Sequence, residues 1–250
     1  MSTQIHPTSI VSKHANIGIN CKVGAFTSIG DNVEIGDETE IGSYCEIGID
    51  FGILEDKPLT IGPDSLIRSG SIFYLGSKFG KGLRTGHRVT VREGVLAGEG
   101  LQIGTLSDLQ GHCTIGDYVR LHSNVHIGQK TDIGNFVWIF PYVVLTNDPH
   151  PPSGELIGCK IEDYVAIATM STILPGSVIG RGALVGAMTL VRGSIPEDSI
   201  VIGMPGKVIG PTDKIRFKKD GKPVYPWRRH FHRGYPEEIT QVWKNEFPDG

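Results

Sequence analysis

An aliphatic residue followed by glycine recurs every six positions near the start of the chain: Ile17-Gly18, Val23-Gly24, Ile29-Gly30, Ile35-Gly36, Ile41-Gly42 and Ile47-Gly48. Four residues after the aliphatic position stands a small or β-branched companion, as in Cys21, Thr27, Val33, Thr39 and Cys45. A period of six matches neither the 3.6 of a helix nor the 2.0 of an isolated strand. It does match a coil with three flat sides, in which each hexad supplies one short strand and one turn. Three hexads then complete a coil, and coils stack at the strand spacing of about 4.8 Å. The aliphatic side chain points into a narrow core and the companion fills the space beside a corner. The glycine, which tolerates φ > 0, is expected to relieve crowding at the turn. The class is all-β, a parallel β-helix.

The register slips by two residues after Ile47 and resumes at Ile61. It then holds through Ile67, Phe73, Phe79, Thr85 and Val91 as far as Leu145. Phe73 to Thr85 departs most from the aliphatic rule, so a loop there stays an open alternative. A second break covers Thr146 to Lys160, and the pattern returns from Ile161 to Val191. About nine coils result, with a coil domain over residues 1–210 and a tail over 211–250. The cysteines fall on companion positions and read as core fillers. In the tail, Pro236 to Phe247 reads as a short helix whose Ile239, Val242 and Trp243 pack on the coils or on a neighbouring subunit. It would also cover the open strand edge of the last coil.

Glycine numbers 34 of 250 residues, about twice the usual share, as such a repeat demands. Net charge is −3 and the pI near 6.3, which gives no electrostatic case for nucleic acid or an anionic membrane. The basic, aromatic run Tyr225 to Arg233 does not alter that balance. The first residues lack the apolar core and basic lead of a secretory signal, and no apolar stretch nears the ~20 residues of a membrane helix. None of the four cysteines shows CxxC spacing, so a cytoplasmic setting is expected.

The [LIV]-Gly-x-x-[STAV]-x repeat resembles that of the hexapeptide-repeat acyltransferases, and the resemblance implies a left-handed coil. Ile161 to Gly180 looks like the C-terminal coils of galactoside, maltose and nucleotide-sugar acetyltransferases. Gly203-Met204-Pro205-Gly206-Lys207-Val208 is similar to their Gly-x-Pro-[Ala/Gly]-Lys-Val ending. In that family coenzyme A lies in a groove between subunits of a trimer. The resemblance therefore implies acetyl-CoA as acyl donor, Ala168, Gly186 and Ala187 as backbone contacts, and Arg192 or Lys207 near the phosphates. A homotrimer and no metal requirement are implied with it.

The break after Leu145 carries the family's site features. Sugar O-acetyltransferases have a proline followed nine residues later by a His-Pro whose histidine is the general base, matched here by Pro141 and His150-Pro151. Nucleotide-sugar N-acetyltransferases have a Thr-Asn in the same loop, matched by Thr146-Asn147 with Asp148 beside it. An imidazole can take the proton that the acceptor loses as it attacks the thioester, and Asn147 can donate to the developing oxyanion. His150 is the first choice of base, and His126 competes with it. His126 lies 18 residues after Asp108, which puts the two on one face of adjacent coils, in reach of a carboxylate–imidazole contact that orients the ring. His87, His112 and His122 line the same coils as structural or substrate contacts, with His87, His122 and Asp148 carried as candidate substrate-binding residues. The base position of the lipid A acyltransferases is occupied here by Ser123, so their mechanism is not carried over.

The first choice of acceptor is the amino group of a nucleotide-linked sugar, followed by a sugar hydroxyl or an amino acid. Two rivals belong to other classes. A γ-type carbonic anhydrase would bind metal through His87, His122 and His126, although the spacing of the last pair is four where that family has five. A non-catalytic β-helix assembly module would bind no coenzyme A.

Overall fold

The structure is a computed structural model that describes residues 2–50 and 57–248. Successive short strands pass from one face of a triangular prism to the next, and each pairs in parallel with the strand one coil later. Face A holds twelve strands, from Gln4–Ile5 to Lys207–Pro211; face B holds ten, from Ile10–Val11 to Leu190–Val191; face C holds ten, from Asn16–Ile17 to Ser194–Ile195. The coil is a left-handed β-helix of about 11 turns. The count exceeds nine partly because Ile5 and Val11 already keep the six-residue register, hidden by His6 and Ser12 where glycine would mark it.

Inward side chains form one core along the axis, with Ile41, Ile67, Val91, Leu121, Ile139 and Ile173 among those fully buried or nearly so. No loop interrupts Phe73 to Thr85, where strands Ile72–Tyr74, Lys78–Phe79 and Arg84–Thr85 continue the ladder. Phe73 and Phe79 meet edge to face at 5.5 Å, and the small buried companions Ser71 and Ser77 leave them room. Thr85 points inward, and its hydroxyl accepts the Arg68 N–H at 2.9 Å. The two-residue slip after Ile47 falls between strands Glu46–Ile49 and Leu59–Ile61, and residues 51–56 lie outside the described residues.

The reason for the repeated glycine differs from the sequence expectation. Apart from Gly48, whose φ is +82°, the left-handed backbone falls mainly three residues after the aliphatic position, on residues such as Phe26, Tyr44, Tyr118 and Asn124. The glycine directly after the aliphatic residue is required by close stacking: a Cβ on Gly86 would stand 2.3 Å from the Thr105 nitrogen, and one on Gly104 would stand 2.3 Å from the His122 carbonyl carbon. Ladder hydrogen bonds hold the left-handed residues in place, as in the Tyr118 N–H donating to Glu99 O at 2.7 Å, which offsets their conformational cost.

The tail departs from expectation in two respects. The strand that covers the last coil is Lys207–Pro211, paired antiparallel with Ser199–Ile202. The helix α1, Glu237–Glu246, packs instead on the middle coils. There Trp227, Tyr235 and Trp243 bury themselves against Tyr118, Phe136, Trp138 and Tyr164, with Ile239 partly buried. Val242 does not pack and is 63% exposed, because Trp243 takes the inward direction.

Candidate active site

Strands Asp108–Leu109 and His126–Ile127 are neighbours on face B, and their register sets Asp108 directly against His126. His126 Nδ1 and Asp108 Oδ2 stand 3.1 Å apart. Gln110 Nε2 donates to the same carboxylate oxygen at 2.5 Å. Burial alone would raise the Asp108 pKa; the hydrogen bonds from His126 and Gln110, with the charges of His126 and Arg92, outweigh it and hold the carboxyl below its ordinary range. When Nδ1 carries its proton toward Asp108, Nε2 is left as a proton acceptor. The His126 side chain is 39% exposed, so an acceptor can reach it.

The excursion after Val144–Leu145 begins beside this pair. Asn147 rests on Gly128, two residues beyond His126: a Cβ on that glycine would lie 3.1 Å from Asn147 Cγ. Asn147 O accepts the Ile157 N–H at 2.8 Å, which closes the base of the loop. Asp148 is the loop's internal knot. It accepts the Ser153 hydroxyl at 2.6 Å, the Ser153 N–H at 2.9 Å and the His150 N–H at 3.0 Å. Those bonds, Ser153's first, hold its carboxyl below the usual range. His150 is exposed, and its imidazole has no hydrogen-bond partner among the described residues.

The other candidates divide between two corners. His87 and His122 lie toward the corner between faces A and B. His87 is exposed and its N–H donates to the Thr105 hydroxyl at 3.2 Å. His122 stacks on Phe140 at 4.7 Å, and burial, followed by the charge of Arg120, lowers its pKa. Neither joins His126, and no group of three metal-ligating side chains is found among the described residues. Ala168, Gly186 and Ala187 follow each other along this same corner. The N–H groups of Ala168 and Gly186 donate to Val185 O at 2.8 Å and Val201 O at 2.9 Å, so only the exposed Ala187 keeps its backbone clear of those ladder bonds. Lys207 pairs with Ile202, whose side chain lies over Gly186, so it borders this group. Arg192 stands beyond Leu190–Val191 at the opposite edge of face B and is not brought to them.

A family model described as bacterial transferase hexapeptide (six repeats) matches residues 14–48. The chain is similar to the putative lipopolysaccharide biosynthesis O-acetyl transferase WbbJ of Escherichia coli K12, with 29% identity over 51% of this chain and 74% of that one. It is 34% identical to the serine acetyltransferase of Bacillus subtilis over 48% of this chain and 50% of the relative. With the bifunctional protein GlmU of Thermotoga petrophila it shares 28% identity over 84% of this chain and 39% of the other. The chain thus spans half or less of the last two relatives. Among solved structures, an Arabidopsis UDP-N-acetylglucosamine acyltransferase shares the fold, at TM-score 0.68 and 17% identity over 83% of this chain and 74% of that one. All of these likenesses fit the hexapeptide-repeat acyltransferase family that the repeat resembles.

The candidate site extends beyond the residues singled out from the sequence. Gln110 was missed, although the 18-residue stacking that pairs Asp108 with His126 also places Gln110 against Gly128. Behind it, Arg92 holds the buried Glu93 carboxylate with two bonds, at 3.1 and 2.9 Å, and His112 Nε2 approaches the same group at 3.8 Å. An acid at a turn position carries no repeat signal, so Glu93 was not legible as a buried residue.

Proposed function

We propose that this chain transfers an acetyl group from acetyl-CoA to an amino group of a nucleotide-linked sugar, acting as a homotrimer with His126 as the base. The observation that supports this base is the 3.1 Å Asp108–His126 contact on an open face, which His150 lacks. In the reaction, the acceptor nitrogen attacks the thioester carbonyl carbon while His126 Nε2 takes its proton. Asp108 stabilises the imidazolium that forms, and the Asn147 side chain, on the same face, is available to the oxyanion. Collapse of the tetrahedral intermediate breaks the carbon–sulfur bond, and the proton passes to the departing thiolate. Coenzyme A would supply the activated acyl group and lie along Ala187 and Lys207.

Transfer to a sugar hydroxyl uses the same base and is the second reading, favoured by the alignment with a relative named as an O-acetyl transferase. Steady-state assays with acetyl-CoA and a panel of nucleotide-linked amino sugars and sugar alcohols distinguish the two. His126→Ala should lower kcat by about 10²–10⁴-fold with little change in acetyl-CoA affinity, while His150→Ala should keep most of the rate. The opposite pattern would move the base to His150. Wild-type rates in both variants would mean that the amine loses its proton to solvent. Lys207→Glu should weaken acetyl-CoA binding, and unchanged affinity would displace the cofactor from this corner.

A further inference from the structure

Face A carries a groove that acyl transfer at face B does not use. Its floor follows one column of the coil, Arg68, Gly86, Gly104 and His122. The Arg84, Gln102, Arg120 column walls it on one side, and the tail brings Phe231, Arg233 and Gly234 across it. The space is about 630 Å³ and is lined by four arginines and no carboxylate, in a chain whose net charge is −3. Arg120 is committed to structure: it lies 4.3 Å from the Tyr235 ring and 4.6 Å from Trp138. It also donates to Arg233 O at 3.0 Å and Gly234 O at 2.8 Å, which fixes the Arg233 segment at the groove. Arg68, Arg84 and Arg233 form no ion pair among the described residues.

Past His122 the groove meets a second space of about 360 Å³, set between Phe140 and Ala166 on face A and Tyr225, Trp227 and Phe231 of the tail. Trp138 and Phe231 line both spaces, and the His122–Phe140 stack runs from one into the other. Among its polar rings, His230 is bonded to Val224 O at 2.8 Å, and the indoles of Trp138 and Trp227 donate to Tyr235 Oη and Tyr164 O, so Tyr225 Oη is the remaining side-chain polar atom. With aromatic and aliphatic side chains forming the rest of its wall, the cleft suits a hydrocarbon better than a nucleobase edge. Unpaired guanidiniums in a carboxylate-free groove suit phosphate, which they can bind through two parallel N–H bonds.

We propose that face A binds an amphiphilic anion, a phosphate ester whose phosphate sits among Arg68, Arg84 and Arg233 and whose alkyl or isoprenyl chain enters the aromatic cleft. The site lies on a different face from the Asp108–His126 pair and does not depend on the acyl-transfer reading. Trp138 and Trp227 line the cleft and report its occupancy. Octyl phosphate, titrated below its micelle threshold into the full chain, should change tryptophan emission saturably. It should bind at least about tenfold more tightly than inorganic phosphate, gaining roughly three- to fourfold per buried methylene. Arg68→Gln with Arg84→Gln should weaken it at least tenfold with the circular dichroism unchanged. Ala166→Leu, which raises the cleft floor, should abolish the chain-length dependence while phosphate still binds. Vesicles with phosphatidic acid identify the source: arginine-dependent co-flotation assigns a bilayer lipid, binding of the monomer alone a soluble ester, and either supports the site. Equal affinity for octyl and inorganic phosphate, indifference to the arginine substitutions, or displacement by coenzyme A would overturn the proposal.

Discussion

A histidine on a β-helix face can serve as a base only when one ring nitrogen is held and the other is open to a ligand, and the residues around His126 meet both conditions. Asp108→Asn keeps the shape of the contact and removes its charge, so it should lower kcat by about tenfold or more while leaving the acetyl-CoA KM unchanged. The pH behaviour follows from the depressed Asp108 pKa. The ionised carboxylate's stabilisation is fully present above its unfolded pKa of about 3.9 and is lost as pH falls through the lower folded value. Acid unfolding curves of wild type and Asp108→Asn should therefore differ at neutral pH and converge once the pH has fallen below the lowered folded value; curves that stay parallel would show the pair to be unlinked to folding. The cysteines give a second residue-scale test. All four are buried and free, and burial pushes the Cys113 and Cys159 thiols up to about 11 and about 12. A thiol reagent at pH 8 should label none of them until the chain unfolds. The Asp108–His126 pair was legible in the sequence because both residues obey the 18-residue stacking. The setting of His150 was not, because a loop that leaves the register carries no rule for where its side chains point.

The coils and the tail obey different rules, and the tail is the element whose packing was least legible. Its helix can be read from Pro236 to Phe247, but not the surface that receives it. That surface is a ladder of stacked rings, Tyr118 on Phe136 at 5.6 Å and Phe136 on Tyr164 at 5.1 Å. The loop excursion separates the last pair in sequence, so the ladder does not show as a repeat. Two indole bonds fix the tail to it, Trp138 Nε1 donating to Tyr235 Oη at 2.8 Å and Trp227 Nε1 donating to Tyr164 O at 3.0 Å. Trp243, 3% exposed, fills the centre. Trp243→Ala should cost about 3–5 kcal/mol, felt in the tail alone, since the coil core lies inside the prism. Hydrogen exchange should then quicken over residues 212–248 and stay slow in the coils; equal loss of protection in both would make the tail part of one cooperative unit. Burial also raises the Tyr235 pKa to about 12. That contribution is full below the unfolded value of about 10 and disappears as pH rises through the folded one, so near-ultraviolet dichroism from the tail should fade in that alkaline range.

At the scale of the whole molecule, the corner between faces A and B bears on association. The turn there drives every third strand's left-handed residue outward, and Phe26, Tyr44, Leu106, Tyr142, Met170 and Met188 are each more than half exposed. Scattered apolar residues on a surface mean little, but apolar residues aligned along one corner make a place where chains meet. Gly70, Arg88 and Asn124 interrupt the row in the middle coils. A closed ring of three prisms would bury such a row and bring Ala187 and Lys207, which share this corner, against a neighbouring copy. Light scattering should therefore give three times 27.1 kDa, about 81 kDa. Met170→Glu with Met188→Glu places two charges on the row without touching the core, so it should shift the protein toward monomer while the coil keeps its dichroism. The same variant should lose acetyl-CoA affinity, because the cofactor corner would lack its second wall. A wild-type mass near that of one chain would remove the inter-subunit site outright. A monomeric variant that still binds acetyl-CoA as tightly as the trimer would leave the assembly intact as an idea and confine the cofactor to a single chain.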